Sequence, residues 1–229
     1  VTGVLAEKMP DLIRQIHEDG HEIGCHYNFH DNINKSNRHE FAFNLDEAIK
    51  KIYNAVNVKP VGFRAPNFAI DSHNHWAYEE LSKRFLYDSS YKTSANIKDL
   101  KKYEDFVHDN NHLKEFFIFG MPTIIKKFNI RSGGTFMRLF SSKIILKSMF
   151  KSHELGHVPL IYMHPYELTL NHEFWMKWED LKSLSINKRM YTWIRQMQWS
   201  HLGHKGVEKK LKHICRFFEH QGPMKHLVQ

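Results

Sequence analysis

Cysteine is nearly missing from this sequence. Two residues, Cys25 and Cys215, stand far apart in 229, a spacing that excludes a disulfide framework and any CxxC metal or redox pair. A reducing compartment, and hence a cytoplasmic location, is the expectation. Long apolar runs are missing too. No stretch approaches the roughly 18 uninterrupted apolar residues of a membrane-spanning helix, and no charged-then-apolar leader precedes a small-residue cleavage site. The chain is therefore expected to be soluble. No internal repeat or low-complexity linker breaks it. The one glycine pair, in "SGGTFMR" (132–138), lacks the spacing of the phosphate-binding glycine motifs and reads as a turn or a close approach. No recognition helix, zinc finger or aromatic RNA-binding signature is found, so nucleic acid is not expected as a partner.

Positive charge and histidine are abundant. The formal charge is +8, with 18 histidines. Such a balance suits an anionic partner, for instance a phosphate-bearing glycan or the inner face of a membrane, so peripheral membrane association is compatible with it. Lysine and arginine are scattered, which also fits an ordinary solvated surface. The length suffices for one well-packed domain.

Apolar periodicity gives an alternating order of elements. "VTGVL" at the start is strand-like. "MPDLIRQIHEDG" reads as a helix with Pro10 in its first turn, Leu12, Ile13 and Ile16 on one face, and Gly20 at its end. "HEIGCH" reads as a strand, 39–55 as a helix, and "KPVGFRAP" as a strand closed by Pro66. Then come helical "HNHWAYEELSKRF", strands "LYDSS" and "LKEFFIFGMP", helical "SSKIILKSMFKSHELG", and the strand "HVPLIYMHP" ending at Pro165. Regular alternation predicts a parallel sheet or barrel with function at the carboxyl ends of its strands. The tail, 171–229, is rich in tryptophan and basic residues, and "GVEKKLKHICRFFEHQG" predicts an amphipathic helix stopped near Gly222.

Polar residues worth testing sit at those strand ends. His26 and His30, four apart, can hold a divalent ion if the chain turns helical after its strand, or serve as a surface histidine and a loop cap. Arg64 leaves an apolar strand and needs a partner, either a carboxylate or a loop-tying ion pair. Asp88 in "LYDSS" suits a site or a simple Asx-type turn. His164 ends an apolar run where an imidazole can act as general acid or as a satisfied structural group, and Glu167 is placed to orient it. Trp175, Trp178, Trp193 and Trp199 can stack on sugars or pack the core.

In this order, "GHEIGCHYNFH", "GFRAPNF", "YDSS" and "YMHPYEL" resemble successive motifs of the polysaccharide deacetylase (NodB-like) family, nearest the branch found with bacterial exopolysaccharide synthesis. The resemblance runs over nearly the whole chain. It implies an α/β fold, a distorted (β/α) barrel of fewer than eight clean repeats, over 1–170, with a helical extension over 171–229 packed on the same domain. It implies a divalent metal, commonly zinc, on an Asp-His-His set in which His26 and His30 match the histidines. Arg64 matches the arginine that orients the catalytic carboxylate, and His164 the general acid. Tyr27, Pro66, Asp88, Arg138 and Glu167 fall at substrate-binding positions, Tyr27 standing where much of the family has Ser or Thr. The implied reaction removes N-acetyl groups from amino sugars of a polysaccharide or its lipid-linked precursor.

The family's acidic pair, which supplies the third ligand and the base, is expected upstream of Val1, so the sequence reads as part of a longer protein. Were it complete, weak metal binding would be expected. A hydrolase of small cyclic amides on the same fold, or a non-catalytic glycan binder, are the other classes that the motifs accommodate.

Overall fold

The computed structural model describes residues 1–31, 33–70, 74–94, 113–123, 128–168 and 175–228. Two compact units divide the chain: Val1–Ile118 with Gln221–Gln229, and Phe119–His220.

In the first unit the opening segment is a helix rather than a strand, α1 (Gly3–Lys8). The Thr2 side chain accepts from the Leu5 amide at 3.3 Å and so caps the helix. Only the first residues keep an extended pairing: the Val1 ammonium donates to the Gly24 carbonyl, and the His26 amide to that of Val1. Gly3 lets α1 approach the helix that carries Ala48 closely, because a Cβ there would lie 2.8 Å from the Cα of Ala48. The second helix, α2 (Pro10–Glu18), begins with proline as expected. Ile13 is buried and Ile16 packs on the core, whereas Leu12 is exposed instead of sharing their face. α3 (Arg38–Val56) is capped by the Asn37 side chain on the Glu40 amide and ended by Asn57 in the left-handed region. Its buried Phe41, Leu45, Ala48 and Ile52 repeat every three or four residues and form the centre of the core, with Phe63, Tyr78 and Leu81 among their neighbours.

Strands β1 (Gly62–Phe63), β2 (Tyr87–Asp88) and β4 (Lys114–Glu115) form a parallel sheet in the order β1-β2-β4, with Phe63 opposite Asp88 and Asp88 opposite Glu115. β3 (Lys92–Ser94) follows β2 in sequence, and α4 (Trp76–Ser82) precedes it. The expected strand "HEIGCH" contributes a single parallel bridge, Cys25 to Phe63. His26, Arg64, Ser89 and Phe116 are thereby the residues that leave the carboxyl edge. "LKEFFIFGMP" is two strands rather than one, since β5 (Ile118–Pro122) does not continue β4. The fold is α/β, and no closed barrel is formed among the described residues.

In the second unit β5 pairs antiparallel with β6 (Asn129–Arg131), a departure from strict parallel alternation. Helices α5 (Gly134–Leu139), α6 (Ser142–Glu154), α7 (Ile186–His201) and α8 (Val207–Ile214) follow. Ile130, Met137, Ile145, Leu146, Met149, Val207 and Ile214 form its core. The expected strand "HVPLIYMHP" is reduced to one bridge, Gly133 to Tyr162, because Pro159 and Pro165 bring no amide to a ladder. α8 stops well before Gly222: Phe217 and Phe218 turn off it and both pack on Phe150.

Candidate functional site

His26 is held from both sides. Its amide donates to Val1, and its ring Nδ1 lies 2.6 Å from the Arg64 carbonyl. A carbonyl only accepts, so Nδ1 carries the proton and Nε2 keeps its lone pair. That tautomer is the one a metal ligand requires, and the carbonyl also fixes the ring's orientation. Burial lowers the His26 pKa to about 4, with the Arg64 carbonyl acting in the opposite sense. The imidazole is therefore neutral at physiological pH, as ligation demands.

The His30 ring lies 5.2 Å from that of His26, centroid to centroid, at 64°. The segment does not turn helical. Instead Tyr27 takes a positive φ of 67°, and bends over 28–30 bring the second ring back. The Tyr27 ring is buried and stacked on Phe41 at 5.4 Å, which holds this turn against the core. His26 and His30 thus fit two positions of a divalent metal site. Among the described residues no group of three or more His, Cys, Asp or Glu side chains has metal-binding geometry.

Arg64 forks onto Ser89, Nε donating to its carbonyl at 3.0 Å and Nη2 to its hydroxyl at 2.8 Å. The Ser89 hydroxyl in turn donates to the Phe116 carbonyl. Beside it, the Ser90 hydroxyl accepts from the Ala65 amide at 2.7 Å and donates to Asp88 at 2.6 Å. The tandem serines therefore clamp the "RAP" loop, whose Pro66 is buried, against the next strand end. Asp88 makes the Asx-type turn, accepting from the Ser90 amide two residues on.

Glu115, opposite Asp88 on β4, accepts from the Ser90 and Tyr91 amides. Both carboxyls are buried. Both titrate above their ordinary range, chiefly through desolvation, and Glu115 is raised further by Asp88's charge. Two adjacent buried carboxylates cannot both ionise cheaply, so the pair shares a proton. Ser90 and Glu115 were not singled out from sequence, and Ser89 only as part of the Asx-type turn with Asp88. The signal for Glu115 was there: one acid inside the apolar run "LKEFFIFG".

The second unit carries His164, Glu167 and Arg138. Glu167 is 1% exposed. Its Oε2 accepts from the His164 amide at 3.2 Å, while its Oε1 lies 3.8 Å from the half-exposed ring's Nδ1, within ion-pair range but beyond a hydrogen bond. Tyr166 stacks on that ring at 4.9 Å and 13°. Arg138 is buried, donating to the Gln198 and Leu202 carbonyls and to Thr135. Burial lowers its pKa, and the nearby Glu167 offsets part of that effect. The "GG" pair serves a close approach within the chain: a Cβ on Gly133 would lie 2.1 Å from the Tyr162 carbonyl. Trp193 meets Trp175 and Trp178 edge-on in a half-buried cluster of tail aromatics. The Trp199 side chain lies outside the described residues.

The first unit thus presents a parallel sheet with two histidines and a clamped arginine at its carboxyl edge. Residues 1–86 match the family model for polysaccharide deacetylase. No curated protein matches the chain in sequence. Among solved structures, a candidate polysaccharide deacetylase from Mycobacterium smegmatis shares 17% identity at a TM-score of 0.56, over 100% of this chain and 68% of that one. That likeness concerns the fold. A family 4 carbohydrate esterase from Streptomyces lividans, solved with acetate, shares 15% identity over 71% of this chain and 62% of its own, at 0.40. A family 4 pseudoenzyme from Bacillus anthracis shares 14% over 85% and 49%, at 0.38.

Proposed function

We propose that the whole chain belongs to the polysaccharide deacetylases and that the protein it represents is a metal-dependent hydrolase removing N-acetyl groups from amino sugars. The substrate is a bacterial surface or exported polysaccharide, or its lipid-linked precursor. One observation carries this reading: within the segment matching the family, His26 presents the ligand tautomer beside His30. The finer fold, a distorted barrel, is part of the same proposal.

His26 and His30 would hold a divalent cation, zinc by preference for imidazole ligands. When bound, such a cation polarises an acyl carbonyl and makes water more acidic. His26 and His30 contribute fixed lone pairs. Arg64 and Ser89 keep the loop that carries His26's hydrogen-bond acceptor in place. By the family resemblance, His164 would supply the proton to the departing amine nitrogen, without which an amine leaves poorly; its backbone amide donates to Glu167.

Acetate release from N-acetylated amino-sugar oligosaccharides by the full-length protein, with and without chelator, tests the proposal. Acetate that appears only with metal supports it. Ring opening of small cyclic amides with no acetate release overturns it in favour of a different hydrolase on the same fold. Glycan binding that is indifferent to chelator, again with no acetate, identifies a non-catalytic binder.

A further inference from the structure

Helix α7 is amphipathic the wrong way round for a helix that only packs on its own unit. Its inward side is largely polar: Gln196 is buried and exchanges hydrogen bonds with the Met176 backbone, while Arg189 donates to the Trp178 carbonyl and stacks over that ring at 4.0 Å. Its outward side is apolar. Ile186, Met190, Tyr191, Ile194 and Met197 are each between 45% and 65% exposed.

Spacings of four, four and three from Ile186 through Met190 and Ile194 to Met197 make one continuous stripe along the helix, with Tyr191 at its side. Isolated exposed apolar residues need no explanation, but a stripe about three turns long does. Charge on the surrounding stretch has one sign. Between Asp180 and Glu208 there is no acidic residue, while Lys182, Lys188, Arg189, Arg195 and Lys205 lie there.

We propose that α7 seats the protein on an anionic membrane surface. An apolar stripe one helix wide, made of flexible Ile and Met side chains and flanked by lysines, suits the boundary between acyl chains and headgroups. The lysines reach outward to lipid phosphates while their stems stay apolar. A protein partner of matching chemistry would have to be strongly acidic around a narrow apolar groove. A second copy of this basic chain would bring like charge against like charge. The anionic bilayer satisfies both the stripe and the sign of its flanks.

Vesicle flotation of the full chain tests this without reference to acetate release, so a failed deacetylase assay leaves it standing. Vesicles of phosphatidylcholine with roughly one part in three phosphatidylglycerol are expected to take up the protein about tenfold more strongly than phosphatidylcholine alone. The double variant Met190→Ser/Ile194→Ser is expected to lose about tenfold or more of that partition. Lys182→Glu/Lys188→Glu is expected to remove the preference for anionic vesicles. These side chains are exposed, and circular dichroism and thermal melting will show the variants folded. The proposal is overturned if native protein stays in the aqueous fraction with both vesicle types, or if either variant floats like the native chain. It is equally overturned if light scattering finds a dimer that Met190→Ser/Ile194→Ser disperses while vesicles leave it intact, since the occupant is then a second copy.

Discussion

His26 divides its two ring nitrogens between two tasks. Nδ1 is committed to the Arg64 carbonyl, and Nε2 is left free to ligate. Replacing His26 or His30 with Ala in the full-length protein is expected to lower zinc affinity by about 100-fold or more, beyond the loss typical of an outer-shell change. Metal content after dialysis reads this directly, and full stoichiometry in His26→Ala would refute the assignment. His164→Ala is expected to behave differently. It should keep its metal and lose roughly 100- to 10,000-fold in kcat, the range of a general acid; if metal content falls with kcat, His164 has another role. These residues draw the eye in the sequence because each follows an apolar run near an expected strand end. Tyr27's turn does not, since nothing in "CHYNFH" signals a positive φ at a large aromatic that the core then holds in place.

At the scale of elements, the carboxyl edge of the parallel sheet is joined strand to strand by short polar links. Glu115 and Asp88 fix Ser90, Ser90 fixes Ala65, and Arg64 fixes Ser89 while lending its carbonyl to His26. Because Asp88 and Glu115 titrate higher folded than unfolded, the folded chain binds more protons there. Their contribution to stability is full below the ordinary carboxylate range and is lost as pH rises through the raised values. Glu115→Gln keeps an acceptor for the Ser90 and Tyr91 amides and removes the titration. Urea unfolding across pH should therefore show a flatter alkaline side than the native chain, and an unchanged slope would rule out the shared proton.

The same sheet depends on α3. Phe41→Ala should cost about 3–5 kcal/mol, since Phe41 is wholly buried between Tyr27, Phe63 and Trp76. A loss under about 1 kcal/mol by denaturant unfolding would contradict that packing. α3 was the most legible element, its apolar residues at 41, 45, 48 and 52 spelling out a buried face. The opening segment was not. Thr2 and Gly3 act through a cap and a close approach, and neither leaves a periodic trace.

For the whole molecule, the alternation of strand and helix patterns foretold an α/β chain, and no helix among the described residues is long and apolar enough to cross a membrane. Apolar periodicity shows which face of an element is buried but not against what. α7 is the sharpest instance: its pattern is helical, yet its apolar stripe faces out. The acid-free stretch between Asp180 and Glu208 is visible in the sequence, whereas its meeting with an exposed apolar stripe is visible only in the structure. At this scale the account rests on one claim, that the carboxyl edge of the first unit's sheet is a metal centre. Zinc titration of the full-length protein, followed by nitrogen NMR of its histidine rings, tests it most directly. The expected result is a saturable shift of Nε2 in both His26 and His30, with the Nδ1 proton of His26 retained on its carbonyl; rings unmoved by saturating zinc would contradict it.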